Sequence, residues 1–464
     1  MAIKQLYLSG FSHHLCGSAP RRTAAILKHA AHDLGGISRL AGRFFPAKLL
    51  TASGKNRNRH FPVFVTFWAF FSQVLVRNAS CRAALASVQA WCAAQGKTVP
   101  GEGTSAYCQA RKRLPTNVLR SVFDALGAWI DARCPDGEPL LKGRVVRVID
   151  GTGMSMPDTL ANRKKWPCAG NQKLGCGFPV AHLAGLFCLH TGRLIRFAVG
   201  SWKEREARLS RRLVAWVREG EVLLADRGFC GWGFMALLQR KGVDLLFRLH
   251  QARGDKPGVS VWKKPQRPES WGKCLWRELP GQLTLRILAF NVNVKGFRTR
   301  HVKLCTTLLE TKTYPDEVLI ALYMRRWKIE LFFRDIKVTL GLDVLRCQSP
   351  ELVEKEVWMQ AIAYNSVRAL MLEAALRHGV EIERLSFKGS VDMMRIWAGW
   401  FNNTPIRGHK RLLGELLLVL ASDQVPERAF RTEPRAVKRR PKNYQFLTKP
   451  RHEMVISDKR RLKK

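Results

Sequence analysis

The stretch YMRRWKIELFFRDIK, residues 323–337, sets one glutamate, Glu330, in a crowd of arginines and lysines. On a helix advancing about 100° per residue, Tyr323, Arg326, Glu330 and Lys337 share an arc of about 60°, with Arg334 just beside it. Met324, Ile329, Leu331, Phe332 and Ile336 take up much of the remaining circumference, so the pattern predicts a largely buried helix with one basic stripe. Read plainly, Arg326–Glu330 and Glu330–Arg334 are i,i+4 ion pairs worth ~0.3–0.5 kcal/mol each. Two other carboxylates suggest chemistry instead. Asp150 ends the apolar run RVVRVID before Gly151, and Asp226 ends EVLLAD before Arg227 and Gly228. An Asp-Gly pair at a strand end is by itself a turn signal. Carboxylates at the ends of adjacent strands, joined by one from a neighbouring helix, can however hold two divalent ions about 3.5–4 Å apart, the arrangement for in-line attack at phosphorus. Hard oxygen ligands favour Mg²⁺ or Mn²⁺. The basic stripe would grip the flanking phosphates, with Arg326 able to bond in a bidentate way and Tyr323 offering a hydroxyl.

These residues need strands and helices to hold them. The first ~140 residues read as helical, with apolar periodicity in AAILKHAAHDLGGI and SCRAALASVQAWCAAQ and basic loops between. From Arg144 the pattern turns to β: RVVRVID, AHLAGLFCL and RLIRFAV, the last two flanking the turn HTG, predict three strands in sequence. A helical stretch over Glu204–Val217, the run EVLLAD, a helix through WGFMALLQRKG and the run VDLLFRL follow, so the last two strands are expected to be parallel in one mixed sheet. Between about 250 and 310, the runs KCLWREL, LTLRILAFNV and RHVKLCTTL predict a β-rich insertion, with a turn at NVKGFRT. A long helix should begin at YPDE, with Pro315 in its first turn, and end near Gly341. Helices dominate from Glu351 to about Ser422, and the tail beyond is basic.

Composition names the partner class. Lys and Arg number 79 against 36 Asp and Glu, a surplus of 43 positive charges that fits a polyanion, nucleic acid first and an anionic membrane surface second. The most apolar run, Phe61–Val76, contains Ser72 and Gln73 and falls short of the ~20 apolar residues of a spanning helix, so it predicts a buried helix. Twelve cysteines without a Cys-x-x-Cys pair, and an N-terminus lacking a signal peptide's apolar core, predict a cytoplasmic protein with reduced thiols and no membrane anchor. His29 and His32 in HAAH have ligand-like spacing but no Glu or Cys nearby in sequence, and read as helix-surface histidines.

The order Tyr323, two residues, Arg326, three residues, Glu330, six residues, Lys337 resembles the signature of the DDE transposases of bacterial insertion sequences, in the insertion sequence 4 family. VIDGTGMSMPDT and LLADRGFCG look like that family's two aspartate motifs, and FWAFFSQVLVRNASCRAALA, SAYCQARKRLP, FRLHQ and DVLRCQSPELVEKEVW extend the likeness over roughly residues 55 to 375. The resemblance implies an α/β fold: a ribonuclease-H-like mixed-sheet core with a β-rich insertion, flanked by helical N- and C-terminal domains. The expected division is a helical DNA-binding domain over 1–140, a catalytic domain over 141–350 with the insertion at about 250–310, a helical domain over 351–430 and a basic tail over 431–464. It further implies that Asp150, Asp226 and Glu330 are the catalytic triad binding Mg²⁺ or Mn²⁺, two ions together, and that Tyr323, Arg326, Lys337 and the adjacent Arg334 contact DNA. The implied activity is cleavage at terminal inverted repeats and strand transfer to target DNA, by a homodimer on paired double-stranded ends, at the nucleoid in the cytoplasm. An element-derived DNA-binding protein without catalysis is the alternative. Two departures stand out: Gly228 replaces a Tyr of many relatives, and no Trp lies between Trp276 and Trp327 to stack on a flipped base. Phe297 is the substitute, with Trp262, Trp271 and Trp276 read as core.

Overall fold

A computed structural model of the chain describes residues 34–51, 60–134, 141–168, 175–204, 206–250, 253–292 and 301–426, with 447, 448, 450 and 453 near the C-terminus. His29, His32, Phe297 and nearly all of the basic tail lie outside the described residues.

Among the described residues eight strands form one mixed sheet: β1 (Val146–Ser155), β2 (Val180–Cys188), β3 (Leu194–Ser201), β4 (Val222–Ala225), β5 (Asp244–Arg248), β6 (Gly258–Lys263), β7 (Gln282–Asn291) and β8 (His301–Thr306). Their order is β3-β2-β1-β4-β5-β8-β7-β6. The first three strands are antiparallel neighbours, while β1, β4 and β5 run parallel. That is the ribonuclease-H-like arrangement. The β-rich stretch continues the same sheet, because β8 pairs antiparallel with β5 and carries β7 and β6 outward. KCLWREL is not a strand: Lys273–Glu278 is a short helix that buries Trp276, and the strand there is β6, upstream.

Period-two alternation sorts the sheet into two faces. Val146, Val148, Val222 and Leu224 face one core, together with helices α1 (Val63–Leu75), α2 (Cys81–Ala94), α3 (Ser105–Arg113) and α4 (Thr116–Asp131). Ile149, Leu223, Ala225, Leu245 and Phe247 face another, beneath α5 (Glu206–Arg211) and α6 (Trp232–Arg240). The first core is closed by α7 (Pro350–His378), a 29-residue helix buried on most of its circumference. Asn365 on α7 accepts a hydrogen bond from the Leu194 N–H and donates to the Leu194 carbonyl, each at 2.9 Å. The N-terminal helices and α7 therefore share one hydrophobic interior. The apolar run at Phe61–Val76 is α1, buried along most of its length, and among the described residues no helix is long and apolar enough to cross a membrane.

Two elements depart from the sequence reading. β1 does not stop at Asp150–Gly151 but runs on to Ser155, held there by β2, with Asp150 opposite Gly185. Only the parallel pairing to β4 stops early, at Val148–Leu224. The helix expected from Pro315 to Gly341 is instead three segments: Asp316–Arg325, Lys328–Arg334 and a π turn over Asp335–Thr339. At the first break the bonds shorten to three-residue spacing, Arg326 N to the Tyr323 carbonyl at 2.9 Å and Glu330 N to the Trp327 carbonyl at 3.1 Å. A uniform helical wheel misplaces side chains across such a break.

Candidate active site

Beyond Val148, β1 keeps β2 on one side and has lost β4 on the other, so the strand has an open edge where β4 ends. Asp150 projects there, and Asp226 follows directly on β4. The helix Lys328–Arg334 crosses β1 at this point and carries Glu330.

Arg326 is the common neighbour. Its Nη1 lies 3.7 Å from Asp150 Oδ2, and its guanidinium sits against the Tyr323 and Trp327 rings at 5.6 and 5.3 Å from their centroids. Burial works against the Arg326 charge, yet Tyr323, Asp226, Asp150 and Glu330 together hold its pKa above the ordinary value. The expected stripe is thus buried at its N-terminal end: Tyr323 and Arg326 are each 3% exposed. Glu330 is exposed.

Burial pushes the Asp150 carboxyl up to about 6; the Gly151 N–H, donating to Oδ1 at 2.8 Å, and Arg326 pull it down, while Glu206 and Asp226 push it further up. Burial likewise drives the Tyr323 hydroxyl above the usual phenol range, against the pull of Arg326. Three buried polar atoms here lack a well-aligned hydrogen bond: Asp226 Oδ1, Arg326 Nε and the Tyr323 hydroxyl, which lies against the Arg326 side chain. An acceptor and two donors are left poorly matched side by side, a state that costs up to about 1–3 kcal/mol per group until a ligand matches them.

The remaining expected residues lie apart. Arg334 is exposed and turned toward Asp335, 3.8 Å away. Lys337 is half-buried within the π turn. Gly228 faces open space, so a larger side chain would fit there. Trp262, Trp271 and Trp276 are buried in the second core; Trp271 and Trp276 also line a cleft of about 550 Å³ beside Phe229, with Arg208, Arg211 and Arg253 on its walls.

One residue went unread in the sequence. Glu206, the first residue of α5, packs over Gly151: a methyl added to Gly151 would lie 2.5 Å from Glu206 Oε1 and 2.6 Å from its Cγ. Gly151 is not a turn residue but the gap that admits this side chain. The only sequence signal was an acidic residue opening the helix that follows the third strand.

Residues 141–366 match the family model described as "Transposase DDE domain", a range that spans all three carboxylates. The chain is 29% identical over 380 residues to "Transposase InsG for insertion sequence element IS4" of Escherichia coli (strain K12), covering 77% of this chain and 81% of that protein. A distant likeness links it to the piggyBac transposase synaptic complex with hairpin DNA, at 8% identity and TM-score 0.40 over 85% of each chain.

Proposed function

Since the chain belongs to the DDE transposases, in the insertion sequence 4 family, we propose that Asp150, Asp226 and Glu330 hold the divalent ions with which it cuts DNA at the ends of its element and joins the freed 3′ ends to target DNA. It is a DNA transposase, an enzyme acting on DNA. The observation that carries the residue assignment is the set of unmatched buried atoms around Arg326: an acceptor, Asp226 Oδ1, suited to a cation, and two donors, Arg326 Nε and the Tyr323 hydroxyl, suited to phosphate oxygens.

The donor set fits a hard divalent ion, Mg²⁺ or Mn²⁺, because all three groups are carboxylates. Among the described residues no three Asp, Glu, His or Cys side chains come close enough together to hold an ion, so binding would have to draw the carboxylates together. When bound, the metal would activate the attacking hydroxyl and take up charge on the phosphoryl oxygens. The protein's own residues do the rest. Arg326 is held by Asp150 on one side and keeps Nε free for a phosphate oxygen, and Tyr323 fixes the backbone from the neighbouring turn. Lys337, as a point charge, and Arg334, through its guanidinium fork, extend the grip along the strand. A homodimer on paired inverted repeats, with the basic N-terminal helices reading the duplex, completes the reading. The presence of all three carboxylates beside Tyr323 and Arg326 favours it over a DNA-binding protein without catalysis.

Incubating the protein with a duplex that carries an element end, with and without Mg²⁺, tests this reading. Metal-dependent nicks at the end, followed by joined products, are expected. End binding without any metal-dependent product would overturn it.

A further inference from the structure

The side chain of Glu206 packs over Gly151, next to Asp150, from the opposite side of the sheet. By strand alternation Asp150 shares the face of Val146 and Val148, whereas Gly151 faces α5. Ordinarily a sheet would separate the two. Here β4 has already ended, since its pairing with β1 stops at Val148–Leu224, and Gly151 has no side chain. Glu206 therefore lies directly on the backbone next to Asp150, at the open edge of β1.

Two contrasts mark this placement. Glu204, on the same segment, is engaged by Arg208 at 3.6 Å and by Arg212 at 2.7 Å. Glu206 makes no ion pair with a described residue, although the chain carries a surplus of 43 positive charges. Independently, the site it adjoins contains Tyr323 and Arg326, each 3% exposed, with a hydroxyl and an Nε that lack a well-aligned partner. Those buried donors lie beside Asp226 and Arg326 and are suited to the phosphate oxygens of a ligand that a cation would bind alongside.

We propose that Glu206 is a fourth carboxylate of the metal site, sharing with Asp150 the hold on one divalent cation, and that Gly151 is glycine so that this carboxylate can reach it. The inference rests on the triad reading above. It also accounts for the arrangement as a whole: one acid on β1, one after β4, and one from a helix on each face of the sheet.

The test is Mn²⁺ binding by the full-length protein without DNA, followed by thermal melts and by calorimetric titration, so that it does not depend on activity. Glu206→Gln should weaken Mn²⁺ binding by about 10- to 100-fold while leaving the melting temperature in chelator close to wild type. Gly151→Ala, which displaces Glu206 without removing its charge, should weaken Mn²⁺ in the same direction. Glu204→Gln should bind Mn²⁺ as wild type does. If Asp150→Asn and Asp226→Asn lose Mn²⁺ binding while Glu206→Gln and Gly151→Ala keep wild-type affinity, the fourth-carboxylate role is overturned and the triad stands. If Asp150→Asn and Asp226→Asn themselves retain wild-type binding, the triad reading fails first.

Discussion

Glu330 is where the ion-pair and metal-ligand readings differ in sign. It is exposed and shares Arg326 with Asp150 and Asp226, so neutralising it removes like-charge repulsion without breaking a buried contact. Glu330→Gln should leave metal-free stability unchanged or slightly raised, sharply reduce the stabilisation that Mn²⁺ gives the wild type, and abolish nicking while end binding persists. Melts with and without Mn²⁺ beside a nicking assay decide it; a destabilised but active variant returns Glu330 to a helix-surface ion pair. Asp150 adds a pH dependence. Its folded pKa of about 6 lies above the ordinary carboxyl value of 3.8, so the folded state binds this proton more tightly and stability falls as pH rises between those values. Above that window Asp150→Asn should raise metal-free stability by on the order of 1–2 kcal/mol, and below about pH 4 the difference should vanish. Urea unfolding in chelator across this range measures it, and a pH-independent difference would contradict burial as the cause.

The elements show why some of the site was legible and some was not. Asp150, Asp226 and Glu330 stood out as candidates because each breaks a pattern, an apolar run closing on Asp or a lone Glu among cations, and Tyr323 and Arg326 because they share a helical arc with Glu330. The strands up to β5 and the parallel course of β4 and β5 were readable because short apolar runs alternate with helical ones, whereas their order in the sheet was not. Glu206 was hidden because its meeting with Asp150 depends on where β4 stops pairing, a register fact that no local pattern encodes. The broken helix was hidden too: Arg326 and Trp327 are ordinary helix formers, and the break reflects burial of a guanidinium against Asp150, a tertiary effect overriding propensity. KCLWREL alternates like a strand, yet it is a helix because Trp276 packs against Trp232 and Trp271. Asn365→Ala would leave both backbone groups of Leu194 unmatched in a buried position and should cost about 2–4 kcal/mol, read by chemical denaturation; a loss below about 0.5 kcal/mol would mean that water replaces the amide.

Across the whole molecule, the surplus of 43 positive charges and the shared interior act together. Binding to DNA should weaken steeply with salt as counterions are released, and Lys337→Ala should lower that slope by about one and weaken all sequences alike. An effect confined to one base position would contradict a phosphate contact. Because Phe67, Phe70 and Phe71 of α1 share a core with Val357 and Ile362 of α7, a chain beginning at Gly143 should lose its fold along with its preference for element ends. Charge reversal of the exposed Lys112 and Arg113 on α3 is the cleaner probe of end recognition, and unaltered preference there would move recognition off this face. Single-turnover nicking of an element-end duplex by Asp226→Asn across an Mn²⁺ titration decides whether the carboxylates hold the metal. The carboxylate assignment predicts no product at any Mn²⁺ concentration with end binding retained, whereas nicking at the wild-type rate would contradict it.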